Sequence, residues 1–301
     1  AALSPGPPSP LTVDVLARFA CELLSRPRLV RHPVPKAALV EMLQYLLLGE
    51  GFSGQQGGGL GVRGSATHEL LVSSVLGSSE ARRSLCPALI RAYATLDAVE
   101  GLDVDRDDFD KFHTRDVIAR VLMELWNWDE CVASVAELGR VDRDAFADFA
   151  GCVLGDLMYV LQDSLDRLTS IAEIQAERED ERAWNALDSS RREEKERFFR
   201  GQERAATGFL RDAKTTLRLL NVLAGSRDVA PAFLTPKVAP KAAYAAVHFL
   251  EVLLGPKAET LASVKDPKKY GFDKEKLVEA VAEFVARLQL SSSRAGGASQ
   301  A

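Results

Sequence analysis

One stripe constrains the fold more than anything else in the sequence. Phe146, Phe149, Val153, Leu157, Val160, Leu161, Leu165, Leu168, Ile171 and Ile174 follow one another at steps of mostly three or four residues. Only an α-helix places such positions on one face, and the stripe lasts about eight turns, so a single long buried helix is predicted. A rod of that length needs other helices to cover its apolar side. The sequence supplies one: Ser190-Arg191-Arg192-Glu193 has the pattern of a capping box, and behind it Phe209, Leu210, Ala213, Leu217 and Leu220 return to helical spacing before Gly225. The two are predicted to form an antiparallel hairpin.

The same period runs through most of the chain, and no segment shows sustained alternation between hairpin turns, so the predicted class is all-α. A first helix is expected from Thr12 to Ser25 with Leu16, Phe19, Leu23 and Leu24 on one side. A second is expected from Pro35 to Leu48 with Leu39, Met42, Leu43, Leu46 and Leu47, closed by Gly49. Gly51 to Ser65 reads as a flexible Gly-rich insertion, followed by helices over Thr67–Leu76 and Ser79–Val99, the latter interrupted at Pro87. Further helices are expected from Asp108 to Trp126, with Phe109, Phe112, Ile118, Val121, Leu122 and Leu125 inward, then over Pro236–Leu254 and Lys274–Leu288. The N-terminal residues 1–10 and the tail 291–301 are expected to be disordered, leaving a helical core over 11–290. No sequence repeat of fixed period is present, so a stack of helix pairs is inferred from the succession of helices alone.

Composition excludes several functions. A net charge of -5 gives no general attraction for nucleic acid or an anionic membrane, and no apolar run reaches the length of a membrane span. Cys21, Cys86, Cys131 and Cys152 lie far apart with no Cys-x-x-Cys, and no His sits at ligand spacing, so neither a disulfide framework nor a zinc site is signalled. Reduced, buried thiols and a nucleocytoplasmic location are expected. The missing initiator Met and the Ser/Gly/Ala tail suggest a segment of something longer.

Three motifs imitate known chemistry and fail on context. Gly59-x-Gly61-x-x-Gly64 matches a dinucleotide fingerprint, but no strand precedes it. Asp103-Val104-Asp105-Arg106-Asp107 opens like a calcium loop, yet Asp108 stands where the turn needs Gly and Thr114 where the loop needs Glu. His32, His68, His113 and His248 have no Cys, Ser or acidic partner at a recognised catalytic spacing. No catalytic residue, cofactor or metal is therefore predicted. The charged run Glu177 to Arg204 reads as a solvated helix surface, and Trp126 and Trp128 as a buried helix end.

The segment most suggestive of function is Gly255-Pro256-Lys257 followed by Lys265-Asp266-Pro267-Lys268-Lys269-Tyr270-Gly271-Phe272. By physics it is a loop between helices: Gly255-Pro256 stops one helix through a left-handed cap, Asp266-Pro267 opens a turn, and Asp273 caps the next helix. Tyr270 and Phe272 are spaced to insert their rings against neighbours, making an architectural latch; the competing reading is an exposed patch of Lys265, Lys268, Lys269 and Tyr270. The segment resembles the Gly-Pro-Lys, spacer, Lys-Asn-Pro-x-x-Tyr-Gly-Phe signature of the ubiquitin chain-elongation factors, the U-box ubiquitin conjugation factors of the ubiquitin-fusion-degradation type. Other stretches share the likeness. They are Phe109-Asp110-Lys111-Phe112-His113-Thr114-Arg115 with Leu125-Trp126, Asp156-Leu157-Met158-Tyr159-Val160-Leu161-Gln162-Asp163-Ser164-Leu165, and Pro231-Ala232-Phe233-Leu234. Upstream the match thins to His32-Pro33 and Lys36-Ala37-Ala38-Leu39-Val40-Glu41. Gly155 stands where the family has Asn, and Val247-His248-Phe249 replaces an Asn-Tyr-Asn triplet.

The resemblance implies an armadillo/HEAT-like right-handed superhelix of antiparallel helix pairs, forming the C-terminal part of an elongation-factor core. It implies a scaffold that positions ubiquitylated substrates for polyubiquitin assembly in protein degradation, including that of endoplasmic-reticulum proteins, and that links them to a hexameric AAA ATPase segregase. No U-box follows Leu290, so the ubiquitin-conjugating enzyme that a U-box recruits would have no docking domain in this chain. A monomer is expected, in cytoplasm and nucleus, without nucleic acid or membrane partners. The competing class is a generic α-solenoid adaptor for peptides or helices, which would show a groove of regularly spaced Asn or Trp; a metabolic enzyme would need a convergent polar pocket.

Overall fold

The computed structural model describes residues 9–50, 62–97 and 109–298. Among these the regular elements are helices only, and the all-α class is borne out. They gather into two compact units, residues 1–152 with 226–232 and residues 153–225 with 233–301.

The first unit contains α1 (Pro10–Ser25), α2 (Pro33–Leu48), α3 (Ala66–Leu76), α4 (Ser79–Ala94), α5 (Lys111–Leu125) and α6 (Asp129–Val141). In it α1 packs on α4 and α3, α2 on α5, and α4 on α6. All but α6 begin on a side-chain cap. Ser9, Ser65, Ser78 and Asp110 accept from backbone N–H groups of α1, α3, α4 and α5, and Gly49 closes α2 with φ 66°. Gly is required at 49, where a Cβ would meet the Arg63 nitrogen at 2.6 Å.

α7 (Arg143–Glu179) begins in the first unit and ends in the second, the division falling after Cys152. The single long helix read from the stripe is therefore present, and all ten stripe residues are buried. The second unit adds α8 (Glu181–Ala186), α9 (Ser189–Gly225), α10 (Ala239–Leu254), α11 (Lys257–Ala262) and α12 (Lys274–Ala298). Tyr159 meets Phe209, Arg167 bonds Gln202, and Arg178 pairs with Glu196. The partners descend along α9 as the numbers rise along α7, so these two helices are antiparallel. α12 packs on α9 and α10.

Several expectations fail for local reasons. Pro87 does not interrupt α4, because Leu85, Cys86, Ala88, Leu89 and Ile90 around it are all buried and their packing offsets one missing backbone bond. α1 turns Val13, Ala17, Ala20, Cys21 and Leu24 inward and leaves Leu16 and Phe19 exposed, since the small side chains let α1 approach α4. The cap of α9 is Asp188, whose carboxylate accepts from Arg191 N–H at 2.9 Å, so Ser190 lies inside the helix. α12 runs to Ala298 instead of ending near Leu288, with Ser291 buried, so residues 291–298 of the expected tail are helical. Of the Gly-rich insertion, residues 51–61 lie outside the described residues, as does the Asp103–Asp107 run; Val62 to Ser65 form a turn tied to α2 by Val62 N–H to Gly49 O at 2.8 Å.

Candidate functional site

The signature segment folds as a fastened turn. Gly255 ends α10 with φ -81° and ψ -167°, so the expected left-handed cap is absent. Glycine is needed there for another reason: a Cβ would stand 2.4 Å from the Glu251 carbonyl oxygen. After the short α11, Asp266 takes the left-handed conformation at φ 50° and Pro267–Tyr270 makes one 3₁₀ turn. The turn closes when Gly271, at φ 78°, lets Phe272 N–H reach back to Pro267 O at 3.0 Å. Asp273 then caps α12 by accepting from Lys276 N–H at 3.2 Å, as the sequence predicts.

Both rings go inward. Tyr270 is 2% exposed and Phe272 4%, which selects the latch over the exposed patch. The Tyr270 hydroxyl donates to Glu203 Oε1 at 2.8 Å and lies 3.3 Å from Gln175 Nε2, joining the turn to α9 and α7. Gln175 also accepts from Lys265 N–H at 2.8 Å and donates to Lys265 O at 3.4 Å, so one amide satisfies both backbone groups of the incoming loop. Two lysines of the proposed patch are engaged within the latch: Lys269 with Glu203 at 2.6 Å and Lys265 with Glu179 at 2.6 Å. Burial pushes the Glu203 carboxyl upward, but hydrogen bonds from Lys269 and Tyr270 outweigh it and hold the group below the usual carboxylate range. Burial first, and Glu203 second, push the Tyr270 phenol well above its ordinary value.

The second motif fastens the first unit by different chemistry. Asp110 accepts from the N–H groups of Phe112 and His113 at 2.9 and 3.1 Å, starting α5. One turn on, Arg115 is 3% exposed, with its guanidinium 2.6 Å from Asp97 and 5.0 Å from the centre of the Tyr93 ring. Burial opposes ionisation of Asp97, and Arg115 with Lys111 reverse that, leaving its carboxyl below the usual range. Upstream, buried Lys36 donates to Thr95 O and Oγ1 at 2.9 and 3.0 Å, so the thin match around Lys36 also holds a helix end.

The remaining candidates have structural roles. His32 caps α2, His68 spans Gly64 N–H and Leu47 O, and His248 bonds Gln162 at 3.0 Å. His113 keeps a buried Nε2 with no partner among the described residues. Cys21, Cys86 and Cys131 are buried, Cys152 half-buried, and burial pushes the Cys21 thiol up to about 11. Among the described residues no group of three or more His, Cys, Asp or Glu is placed to hold a metal ion. No described helix is long and apolar enough to cross a membrane. Trp126 and Trp128 are half-buried. Of the two departures, Gly155 is exposed with nothing within 4 Å of a Cβ, and Phe249 is buried while Val247 faces solvent. Sequence reasoning missed Gln175, Glu203 and Asp97, each of which lies far from its motif in the chain and carries no signal of its own.

The family described as the ubiquitin elongating factor core matches residues 4–293. The chain is 24% identical over 277 residues to the probable ubiquitin conjugation factor E4 of Arabidopsis thaliana, covering 92% of this chain and 25% of that protein. It is 24% identical over 281 residues to the ubiquitin conjugation factor E4 of Schizosaccharomyces pombe, again over 92% of this chain and 25% of the relative. To the E4 ubiquitin-protein ligase UFD2 of Saccharomyces cerevisiae it is 30% identical over 206 residues, 66% of this chain and 21% of that protein. The chain thus spans about a quarter of the length of these relatives.

Proposed function

We propose a function from the premise that this chain belongs to the ubiquitin elongating factor core family: it serves as a scaffold that positions ubiquitylated substrates while polyubiquitin chains are extended. The observation that carries this reading is the family match over 4–293, nearly the whole chain. The motifs that bear the likeness support it, because the two described most fully above are built as fasteners. Tyr270, Gln175 and Glu203 fix a turn, and Arg115 and Asp97 fix a helix start. A part whose polar residues are spent on holding helices suits positioning better than bond-making. The reading extends to the partners: ubiquitylated substrates, a hexameric AAA ATPase segregase, and a ubiquitin-conjugating enzyme reached through a U-box. It also extends to a monomer acting in cytoplasm and nucleus, within degradation that includes endoplasmic-reticulum proteins.

The test is chain extension on a ubiquitylated substrate with activating and conjugating enzymes supplied. Residues 1–301 alone are expected to extend nothing, and the same residues joined to a U-box are expected to extend chains. Extension by residues 1–301 alone would overturn the scaffold reading.

A further inference from the structure

The sequence from Glu177 to Arg204 balances its charges, but the structure sorts them. Glu196 is taken by Arg178 at 2.8 Å, Glu203 by Lys269 and Tyr270, and Glu177 by Lys195. What α9 turns outward from there on is mostly basic: Arg197, Arg200, Arg204, Arg211, Lys214 and Arg218 are exposed, with Phe198 and Thr207 beside them and Lys214 bonded to Gly271 O at 3.2 Å. Among the described residues the side chains of Arg197, Arg200 and Arg218 make neither an ion pair nor a hydrogen bond. Among the described residues Arg204 bonds the Arg200 carbonyl and Arg211 its neighbour Asp212.

The spacing is regular. Arg197, Arg204, Arg211 and Arg218 recur at every seventh residue, which sets four guanidinium groups along about 31 Å of helix. Gly201 and Gly208 fall between them with nothing within 4 Å of a Cβ, so packing within this chain requires neither. Each costs roughly 1 kcal/mol relative to Ala inside a helix. Their effect is to notch the ridge between successive arginines. The ridge ends in two hollows of mixed charge, one of ≈ 630 Å³ lined by Arg197, Arg200 and Arg204 with Glu193 and Glu196, the other of ≈ 590 Å³ lined by Lys214, Arg218 and Lys268 with Asp273, Glu279 and Glu283, so the basic character lies on the ridge between them.

We propose that this face of α9 docks an acidic helix of a partner protein, one carrying Asp or Glu at heptad spacing. The guanidinium fork matches a carboxylate in two hydrogen bonds, and a seven-residue repeat on the partner keeps those carboxylates in register with the arginines. The notches at Gly201 and Gly208 receive the partner's intervening side chains. A net charge of -5 repels large polyanions, whereas a short acidic helix on the ridge feels mainly charges within a screening length of about 8 Å. The ridge stands on its own geometry and does not depend on the elongation reading.

The experiment uses a fluorescent helical peptide about four heptads long with Glu at every seventh position, and a twin with Gln in its place. Fluorescence anisotropy with the full chain is expected to show binding of the Glu peptide that weakens as salt rises, and about tenfold weaker binding of the twin. Arg204→Glu with Arg211→Glu is expected to lower affinity about tenfold or more with an unchanged circular dichroism spectrum, because both side chains are exposed. Gly201→Leu with Gly208→Leu keeps every charge, fills the notches, and is expected to weaken binding with helicity retained. Equal binding of the twin, undiminished binding by either double variant, or tighter binding of a single-stranded oligonucleotide or of phosphatidylserine vesicles would each overturn the proposal.

Discussion

Two motifs of the family are fastened in opposite ways. In the first unit a buried cation, Arg115, is held by a half-exposed carboxylate, Asp97, and by the Tyr93 ring. In the second the ring of Tyr270 does the holding at depth, its hydroxyl donating to the part-buried Glu203 at 2.8 Å with the part-buried Gln175 3.3 Å away, and the charges of Lys269 and Lys265 stay at the surface. The difference shows where each site is vulnerable. A buried ion is costly to strand without its partner, whereas a buried ring is costly to remove because it leaves a void.

The largest effects should come from the rings. Phe272→Ala and Phe149→Ala are each expected to cost about 3–5 kcal/mol in urea unfolding, as buried aromatics truncated in a core. A loss below about 1 kcal/mol at Phe272 would reduce the latch to a surface loop. Next comes an asymmetry within the first site. Asp97→Asn takes the carboxylate from the buried guanidinium of Arg115, which keeps its bond to Tyr93 O at 3.3 Å, and should cost about 1–2 kcal/mol, while Arg115→Met leaves Asp97 paired with Lys111 at 3.0 Å and open to water and should cost less. The reverse order would remove the contrast between the sites.

Titration sharpens the comparison further. Asp97 and Glu203 are both held below the usual carboxylate range, so their contributions are present above about pH 4–4.5 and drain away below it, as the pH falls toward their lowered folded values. Asp97→Asn and Glu203→Gln should each flatten the acid limb of a stability–pH curve. Tyr270 is shifted upward, so its contribution is present below about pH 10 and is lost as the pH rises past it. Tyr270→Phe should cost about 1 kcal/mol at neutral pH and reduce the alkaline loss; an unchanged alkaline limb would show that the phenol does not hold the turn. The smallest effect is expected at Lys268, which is exposed, where Lys268→Glu should change stability by no more than about 0.5 kcal/mol.

What the sequence revealed was mostly what the helical period carries. The stripe of α7, the cap at Asp273, the glycine at 49 and the buried pair Tyr270 and Phe272 were all legible, because each depends on residues close together in the chain, whereas the helix expected from Asp108 starts only at Lys111, capped by Asp110. The failures share a cause: they depend on neighbours distant in sequence. Pro87 is tolerated because its surroundings are buried, and Leu16 and Phe19 yield to the smaller Ala17 and Ala20 at the α4 contact. Gln175 and Glu203 gain their roles only when α7 and α9 lie beside the turn, 90 and 67 residues away from their partners Lys265 and Tyr270. The basic ridge was invisible for the same reason, since its acids are withdrawn by pairing that the local sequence does not show.

The most direct test of the claim that the signature segment fastens the last helix is amide hydrogen exchange on the Tyr270→Ala chain. Loss of the latch is expected to speed exchange in α12 between Leu277 and Leu288 and in the facing part of α9, and to leave the amides of α5 around Val117 to Leu125 at their original rates. Unchanged protection in α12, or an equal rise in α5, would contradict it.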